Sequence, residues 1–218
     1  MTDKNRTDVV VILDRSGSMA GMRQAAESGL NEFIGKMKGA SGNVTFTLAQ
    51  FDDQYEMVFL RETMENVGHY RLEPRGMTAL NDAMGRTIQR FGALLAEMPE
   101  ERRPGKVIVM VITDGLENAS KEFNREQVQK MVKTQQEKYS WEFLYLGTNQ
   151  DAHAEGDLLG FASRRSVQYS AGPVGARSMY RAVSNCVRRA VDTGDSRSLD
   201  SSLMEEEIKK EEEKELKP

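Results

Sequence analysis

The chain has 218 residues, of which 39% are hydrophobic and 29% charged, a balance typical of a soluble globular protein that buries a core without disulfides. Its net charge of −4 argues against binding nucleic acid or an anionic membrane through overall charge, because that requires an excess of Lys and Arg. Cys186 is the only cysteine, and no apolar run approaches the roughly 18 residues that span a bilayer. We therefore predict a cytoplasmic protein whose partner is neither nucleic acid nor membrane.

The N-terminal part predicts strands around one amphipathic helix. DVVVIL (8–13) is nearly all apolar, as expected of a central strand covered on both faces of a parallel sheet. Apolar residues recur at helical spacing over 19–37, which indicates a crossover helix. NVTFTLAQF (43–51) is the next strand, and YEMVFL (55–60) should return beside it as a hairpin. One antiparallel edge strand is therefore expected.

Helices and strands alternate through the rest of the chain. Helices are predicted over 80–95, 124–138, 152–159 and 176–191, and strands over 106–113, 141–147 and 166–170. This alternation is typical of helices that cover both faces of a parallel sheet. The predicted fold is α/β: a Rossmann-like, doubly wound, mostly parallel sheet with one antiparallel edge strand, flanked by helices.

The composition changes after Asp192. We assign residues 1–194 to the folded domain and 195–218 to a tail rich in Glu and Lys, because the tail has few apolar side chains. Pairs such as Glu206 and Lys210 favour some helix, at about 0.2 to 0.5 kcal/mol per pair. The tail is expected to be disordered or partly helical, either solvated or serving as an acidic docking segment.

Oxygen-bearing side chains follow the first apolar strand. In DRSGSM (14–19), Asp14, Ser16 and Ser18 alternate around a turn that Gly17 permits. An open parallel sheet binds ligands at this end of its strands. Helix capping by Ser18 is an alternative explanation for the motif.

A second carboxylate is expected at the same edge. VMVITDG places Asp114 at the end of the other all-apolar strand, which a doubly wound order can set beside the first. Adjacent carboxylates repel, and a bound cation removes that repulsion. Carboxylates and hydroxyls without a nearby His or Cys suit Mg²⁺, Mn²⁺ or Ca²⁺ better than Zn²⁺.

These residues resemble the von Willebrand factor A family. DRSGSM is similar to its metal-ion-dependent adhesion motif through Asp14, Ser16 and Ser18, RGMTAL to the family's separate threonine through Thr78, and ITDG to its last aspartate through Asp114. The resemblance implies one divalent cation, Mg²⁺ in the first place. In the family the two serines and often the threonine touch the ion directly, whereas the aspartates commonly act through water.

The resemblance covers roughly residues 8–192 and implies a binding function. One coordination position stays open for an Asp or Glu of a protein partner, to which Arg15 could add a charge-assisted contact; an exposed Arg without a role is the alternative. Because disulfides are absent, the chain looks more like intracellular bacterial or phage-type members. Some of those work beside AAA+ ATPases or stress-response assemblies, which are therefore the expected partners.

Two other functions fit less of the sequence. Metal-dependent phosphoryl-transfer enzymes also begin with an Asp at a strand end, but their second acidic residue falls at Ser16, and no Lys or His motif supplies an acid or base. A structural component of a larger assembly is the other alternative, and it differs from a binding module only in how permanently it binds its partner. We therefore predict a protein-protein interaction module rather than an enzyme.

Three further groups of polar residues do not require additional binding sites. Asp52 and Asp53 in FDDQ indicate a hairpin turn rather than a second ion site. Asn149 and Asp151 follow a strand on the metal side, where they shape a partner surface or cap a helix. Six arginines are interpreted as solvated helix residues rather than a basic patch: Arg164, Arg165, Arg177, Arg181, Arg188 and Arg189.

Overall fold

The computed structural model describes residues 2–148 and 152–217. Its strands are β1 (Asp3–Asp14), β2 (Asn43–Phe51), β3 (Tyr55–Thr63), β4 (Pro104–Thr113), β5 (Glu142–Thr148) and β6 (Ser166–Tyr169). They form one sheet in the order β3-β2-β1-β4-β5-β6. Among the described strands, only β2 and β3 pair in antiparallel orientation. The predicted mostly parallel sheet with one antiparallel edge strand is confirmed.

Helices cover both faces of this sheet. They are α1 (Arg23–Lys38), α2 (Leu80–Glu97), α3 (Arg125–Tyr139), α4 (Ala152–Leu158), α5 (Pro173–Thr193) and α6 (Ser201–Glu215). The first, fifth and sixth contribute to the hydrophobic cluster on one face, and the other three to the cluster on the opposite face. Among the described helices, none is both long and apolar enough to cross a membrane.

Strand β1 lies at the centre of the sheet because both of its faces are buried. Val9, Val11 and Leu13 belong to the cluster beneath α1 and α5, whereas Val10 and Ile12 belong to the cluster beneath α2 and α3. Successive side chains of a strand point to opposite faces, so a strand covered on both sides is apolar throughout. This explains why DVVVIL has no polar alternation.

Strand β1 begins earlier than the apolar pattern predicts. It starts at Asp3 rather than Asp8, because Arg6 pairs with Asn43 of β2 and Asp3 pairs with Pro104 of β4. Polar side chains do not prevent this extension, since the ladder depends on backbone groups. Hydrophobic patterning alone therefore underestimates the length of the strand.

The tail, predicted to be disordered or partly helical, contains helix α6 (Ser201–Glu215). Helix α6 buries Met204 and Ile208 in the same cluster as α1 and α5, and Leu199 in the preceding turn is also buried. Glu205 Oε1 accepts a hydrogen bond from the backbone N–H of Gln168 in the edge strand β6. A few well-spaced apolar side chains are sufficient to hold α6 in place. Without α6, the edge of β6 and one side of α5 would be exposed to solvent.

The arginines of this region have acidic partners rather than forming a basic patch. Their ion pairs are Arg164–Asp200, Arg165–Glu142, Arg177–Glu215, Arg181–Glu215, Arg188–Asp192 and Arg189–Glu207. Two of these acidic residues, Glu207 and Glu215, belong to α6. The charged composition of the tail therefore contributes to the docking of α6.

Candidate metal centre

Asp14 is held in place at the end of β1 by two hydrogen bonds. Its side chain is fully buried. The backbone N–H of Ser16 donates to Oδ1 at 2.6 Å, and the hydroxyl of Thr113, the last residue of β4, donates to Oδ2 at 2.6 Å. Strand order produces this arrangement, because β4 pairs directly with β1. The carboxylate therefore has a fixed orientation.

Hydroxyl oxygens connect this carboxylate region to the second aspartate. Ser16 Oγ and Ser18 Oγ are 2.9 Å apart, and Ser18 Oγ donates to Asp114 Oδ1 at 2.7 Å. Neighbouring ligands of an octahedral Mg²⁺ with bonds of roughly 2.0–2.1 Å lie about 2.9 Å apart. The spacing of these oxygens therefore suits a small, hard cation.

Thr78 reaches the same space from a third segment. A Cβ placed on Gly115 would lie 3.2 Å from Thr78 Oγ1, 3.6 Å from Ser18 Oγ and 3.8 Å from Asp14 Oδ2. Side-chain oxygens from the segment after β1, Asp14 and Ser18, and from the segment of Thr78 therefore surround a space that Gly115 leaves open. We call Asp14, Ser16, Ser18, Thr78 and Asp114 the five-oxygen site; the fold brings all five predicted residues together.

The electrostatics of the five-oxygen site favour a cation. Burial raises the pKa of Asp14 to about 6; the hydrogen bonds from Thr113 and Ser16 oppose this rise, and the charge of Asp114 adds to it. Burial also raises the pKa of Asp114, against the hydrogen bond from Ser18. Both carboxylates are thus poorly stabilised as anions, and a divalent cation would compensate them.

The donor set consists of hard oxygens. Among the described residues, no group of three or more His, Cys, Asp or Glu side chains is arranged to hold a metal ion. A site with two carboxylates and three hydroxyls therefore depends on Ser and Thr oxygens, which match the preferences of Mg²⁺ or Mn²⁺. On spacing, charge and donor type, the residues fit a bound divalent cation.

Arg15 is buried, whereas both alternatives considered from the sequence, a partner contact and an exposed side chain without a role, place it at the surface. Its exposed fraction is 5%. Its Nε lies 3.0 Å from Asp52 Oδ2 and its Nη1 lies 2.8 Å from Glu56 Oε2. Arg75 Nε approaches Asp52 Oδ2 at 2.8 Å from the other side. Asp52 therefore pairs with two guanidinium groups, and we assign Arg15 to the support of the loops rather than to a partner contact.

Backbone hydrogen bonds fix the loop of Thr78 against the loop of Ser16. The N–H of Arg75 donates to the carbonyl of Arg15 at 2.8 Å, and the N–H of Gly17 donates to the carbonyl of Gly76 at 3.2 Å. Gly76 has a φ of +67°, a left-handed conformation that glycine adopts without strain. The two loops therefore hold their hydroxyls at a constant separation.

The loop after β4 also holds the segment of Thr78 in place, through side-chain contacts that the sequence analysis did not predict. Asn118 Oδ1 accepts from the backbone N–H of Thr78 at 3.0 Å, and the N–H of Asn118 donates back to the Thr78 carbonyl at 2.9 Å. Glu117 Oε2 accepts from the N–H of Asn81 in the first turn of α2. The polar run ENAS, which follows ITDGL, could have indicated these contacts, since carboxylate and amide side chains in loops often bind backbone N–H groups.

One remaining prediction concerns residues at the end of β5. Asn149 and Asp151 lie outside the described residues. Thr148, the last residue of β5, donates from Oγ1 to the backbone carbonyl of Asp114 at 3.3 Å. Strand β5 therefore also supports the loop that carries the second carboxylate.

Comparison with known proteins shows the family of the chain. A family model for the von Willebrand factor type A domain matches residues 9–117. The chain belongs to the von Willebrand factor type A domain family. The matched segment contains all five residues of the five-oxygen site. No curated protein sequence matches this type A domain chain.

Solved structures share the type A domain fold. The vWF domain of the type V pili tip protein Mfa5 from Porphyromonas gingivalis has a TM-score of 0.61 at 10% identity, covering 87% of this chain and 97% of that one. A von Willebrand factor type A protein from Catenulispora acidiphila has a TM-score of 0.56 at 15% identity, covering 90% of this chain and 43% of that one. At such identities, the likeness shows the fold alone.

A further solved structure of similar fold is described with bound zinc. Proximal thread matrix protein 1 from the mussel byssus, with a zinc-occupied MIDAS motif, has a TM-score of 0.55 at 14% identity. The match covers 87% of this chain and 46% of that one. This chain therefore spans about half the length of the mussel and Catenulispora chains.

Proposed function

We propose that this chain is a divalent-metal-dependent protein interaction module. The observation that carries the proposal is the convergence of Asp14, Ser16, Ser18, Thr78 and Asp114 at the C-terminal edge of the sheet, around the space that Gly115 leaves open. When bound there, Mg²⁺ would supply a Lewis-acidic position for a carboxylate of a partner protein. Mn²⁺ or Ca²⁺ would serve the same role.

Each residue has a distinct part in this proposal. The hydroxyl oxygens of Ser16, Ser18 and Thr78 contact the ion, and the carboxylates of Asp14 and Asp114 balance its charge. Gly17 and Ser18 are exposed, so the site is accessible from solvent on the side where a partner would approach. The loops are already fixed by hydrogen bonds, so binding requires little ordering of the chain.

The proposal includes no catalytic step. An attacking Asp needs an oxygen that can reach a substrate, whereas Asp14 is fully buried and both of its oxygens accept hydrogen bonds. Asp114 has an exposed hydroxyl neighbour in Ser18 but no described His or Lys hydrogen-bonded to it. These contacts favour a holding role for both carboxylates over phosphoryl transfer.

The proposed partner is a protein in the same reducing compartment, which we take to be the bacterial or phage-host cytoplasm. By analogy with intracellular members of the family, an AAA+ ATPase or a stress-response assembly is the proposed class. Nucleic acid is not proposed, because the six arginines that could form a basic patch are engaged in ion pairs.

The test is capture of partners from a lysate of the source organism, followed by mass spectrometry. Wild type and Ser16→Ala are compared in Mg²⁺ and in EDTA, with Ser28→Ala as a control because Ser28 is exposed on α1. We expect a set of proteins retained only in Mg²⁺ by wild type and Ser28→Ala. An identical set under every condition would overturn the proposal.

A further inference from the structure

Two residues with exposed apolar side chains stand close to residues of the five-oxygen site in the sequence. Met77 has an exposed fraction of 55% and Leu116 of 46%. Met77 precedes Thr78, and Leu116 follows Gly115. The ideal Cβ of Gly115 would lie 3.2 Å from Thr78 Oγ1, so the backbone segments that carry the two apolar residues adjoin each other at the site.

Neither side chain has a role in the core. Met77 and Leu116 belong to neither hydrophobic cluster and are not among the partly buried residues packed against them. The other large exposed apolar residues in the described chain lie within helices or next to helix ends: Tyr139, Leu158, Leu203 and Leu216. Met77 and Leu116 are thus the two exposed on loops at the carboxyl edge of the sheet.

The loops that carry them are fixed before any partner binds. Asn118 exchanges two hydrogen bonds with the backbone of Thr78, and the N–H of Ala119 also donates to the Thr78 carbonyl. Gly76 is held by the N–H of Gly17. A pair of apolar side chains on pre-ordered loops offers a binding surface with a small entropic cost.

We propose that Met77 and Leu116 form an apolar rim that selects a partner segment in which the metal-binding Asp or Glu stands beside a large apolar residue. This inference rests on the proposed function, because the carboxylate contact brings the neighbouring side chain to the rim. A phosphate or nucleotide offers no aliphatic group to such a rim, so the rim favours a peptide source for the carboxylate. Burial of one aliphatic side chain there should increase affinity by about five- to tenfold.

The test uses an array of short peptides with a central Glu and every amino acid in turn on each side of it. The array is probed with the full chain in Mg²⁺ and in EDTA. We expect Mg²⁺-dependent binding that is about five- to tenfold stronger with Leu, Ile, Met or Phe beside Glu than with Ser or Lys. The preference should disappear in Met77→Ser/Leu116→Ser.

The control is Tyr139→Ser/Leu203→Ser, which removes two side chains of similar exposure, 61% and 48%, far from the site in sequence. It should keep the preference. Mg²⁺-dependent binding to Glu with no preference for an apolar neighbour would overturn the rim and leave the proposed function intact. No Mg²⁺-dependent binding to any Glu peptide would overturn both. Mg²⁺-dependent self-association of the chain, measured by sedimentation without peptide and lost in the rim variant, would replace the peptide partner by a second copy.

Discussion

At the scale of single residues, the five-oxygen site depends on hydrogen-bonding groups other than its proposed ligand oxygens. Thr113 and the backbone of Ser16 orient Asp14, and Asn118 positions the backbone of Thr78. Such supporting contacts determine whether a set of oxygens converges closely enough to bind a cation. The residues around the site are therefore as informative as the ligands.

Gly115 provides a sharp test of the space between the loops. A methyl group there would lie 3.2 Å from Thr78 Oγ1, closer than an ordinary contact, so Gly115→Ala should displace the Thr78 hydroxyl. We expect Mg²⁺ affinity, measured by isothermal titration calorimetry, to fall about tenfold or more. Gly21→Ala is the matched control, because a Cβ at Gly21 meets nothing within 4 Å. Equal affinities of the two variants would show that the space is not the metal site.

The Asp52 ion pairs predict a pH-dependent contribution to stability. Burial acts to raise the pKa of Asp52, but the hydrogen bonds from Arg75 and Gln54 and the charges of Arg15 and Arg75 outweigh it and lower the pKa below its usual range. The folded state then binds fewer protons than the unfolded state near pH 4. The ionised Asp52 therefore contributes to the free energy of unfolding above about pH 4, and this contribution is lost as the pH falls through the lowered pKa of Asp52.

Asp52→Asn should accordingly destabilise the protein by about 2–3 kcal/mol at pH 7, because it also leaves the buried Arg15 with fewer partners. Near pH 3 the difference from wild type should shrink. Urea unfolding of both proteins at pH 7, 5, 4 and 3 measures this. A difference that is constant with pH would contradict the assigned role of the carboxylate.

At the scale of secondary structure elements, α6 is the helix whose packing the composition of the tail left undecided. Its surface is acidic and charged, yet Met204 and Ile208 lie four residues apart on one face and are buried, and Glu215 pairs with Arg177 and Arg181 of α5. Helical spacing of only two apolar residues is a weak signal in sequence. Docking onto the edge of the sheet is a tertiary effect that no local pattern encodes.

The docking of α6 predicts a measurable loss of stability. Met204→Ala and Ile208→Ala should each lower the free energy of unfolding by about 2–4 kcal/mol, because both side chains are almost completely buried. Lys209→Ala, at an exposed position of the same helix, should change it by less than about 0.5 kcal/mol. If all three variants unfold like wild type in urea, α6 contributes no packing energy and the tail is solvated.

At the scale of the whole molecule, the sheet was predictable because two all-apolar strands mark its centre. DVVVIL and VIVMVI identify β1 and β4, and alternation with helices sets the parallel order. The convergence of Asp14 and Asp114 follows from that order. The burial of Arg15 was not predictable, since its partner Asp52 lies 37 residues away in the sequence and the motif does not specify the residue between Asp14 and Ser16. The polar run ENAS suggested backbone contacts of its side chains, but not that Asn118 would bind Thr78, 40 residues away in the sequence.

Metal binding should stabilise the entire domain. A ligand that binds only the folded state adds about 2.7 kcal/mol at 100 times its dissociation constant, so saturating Mg²⁺ should raise the thermal midpoint of wild type by several degrees relative to EDTA. Ser16→Ala should lose most of this increase, whereas Ser28→Ala should keep it. Equal increases in all three proteins would mean that the ion binds elsewhere.

The most direct test of the central claim is a titration of the metal-free, ¹⁵N-labelled protein with Mg²⁺, followed by two-dimensional NMR of the backbone amides. The five-oxygen site predicts saturable shifts concentrated at Ser16, Ser18, Thr78, Asp114 and Gly115, and little change on α6 or at the opposite edge of the sheet. Shifts that do not saturate, or that cluster away from these three loops, would contradict the assignment of a metal centre to this edge.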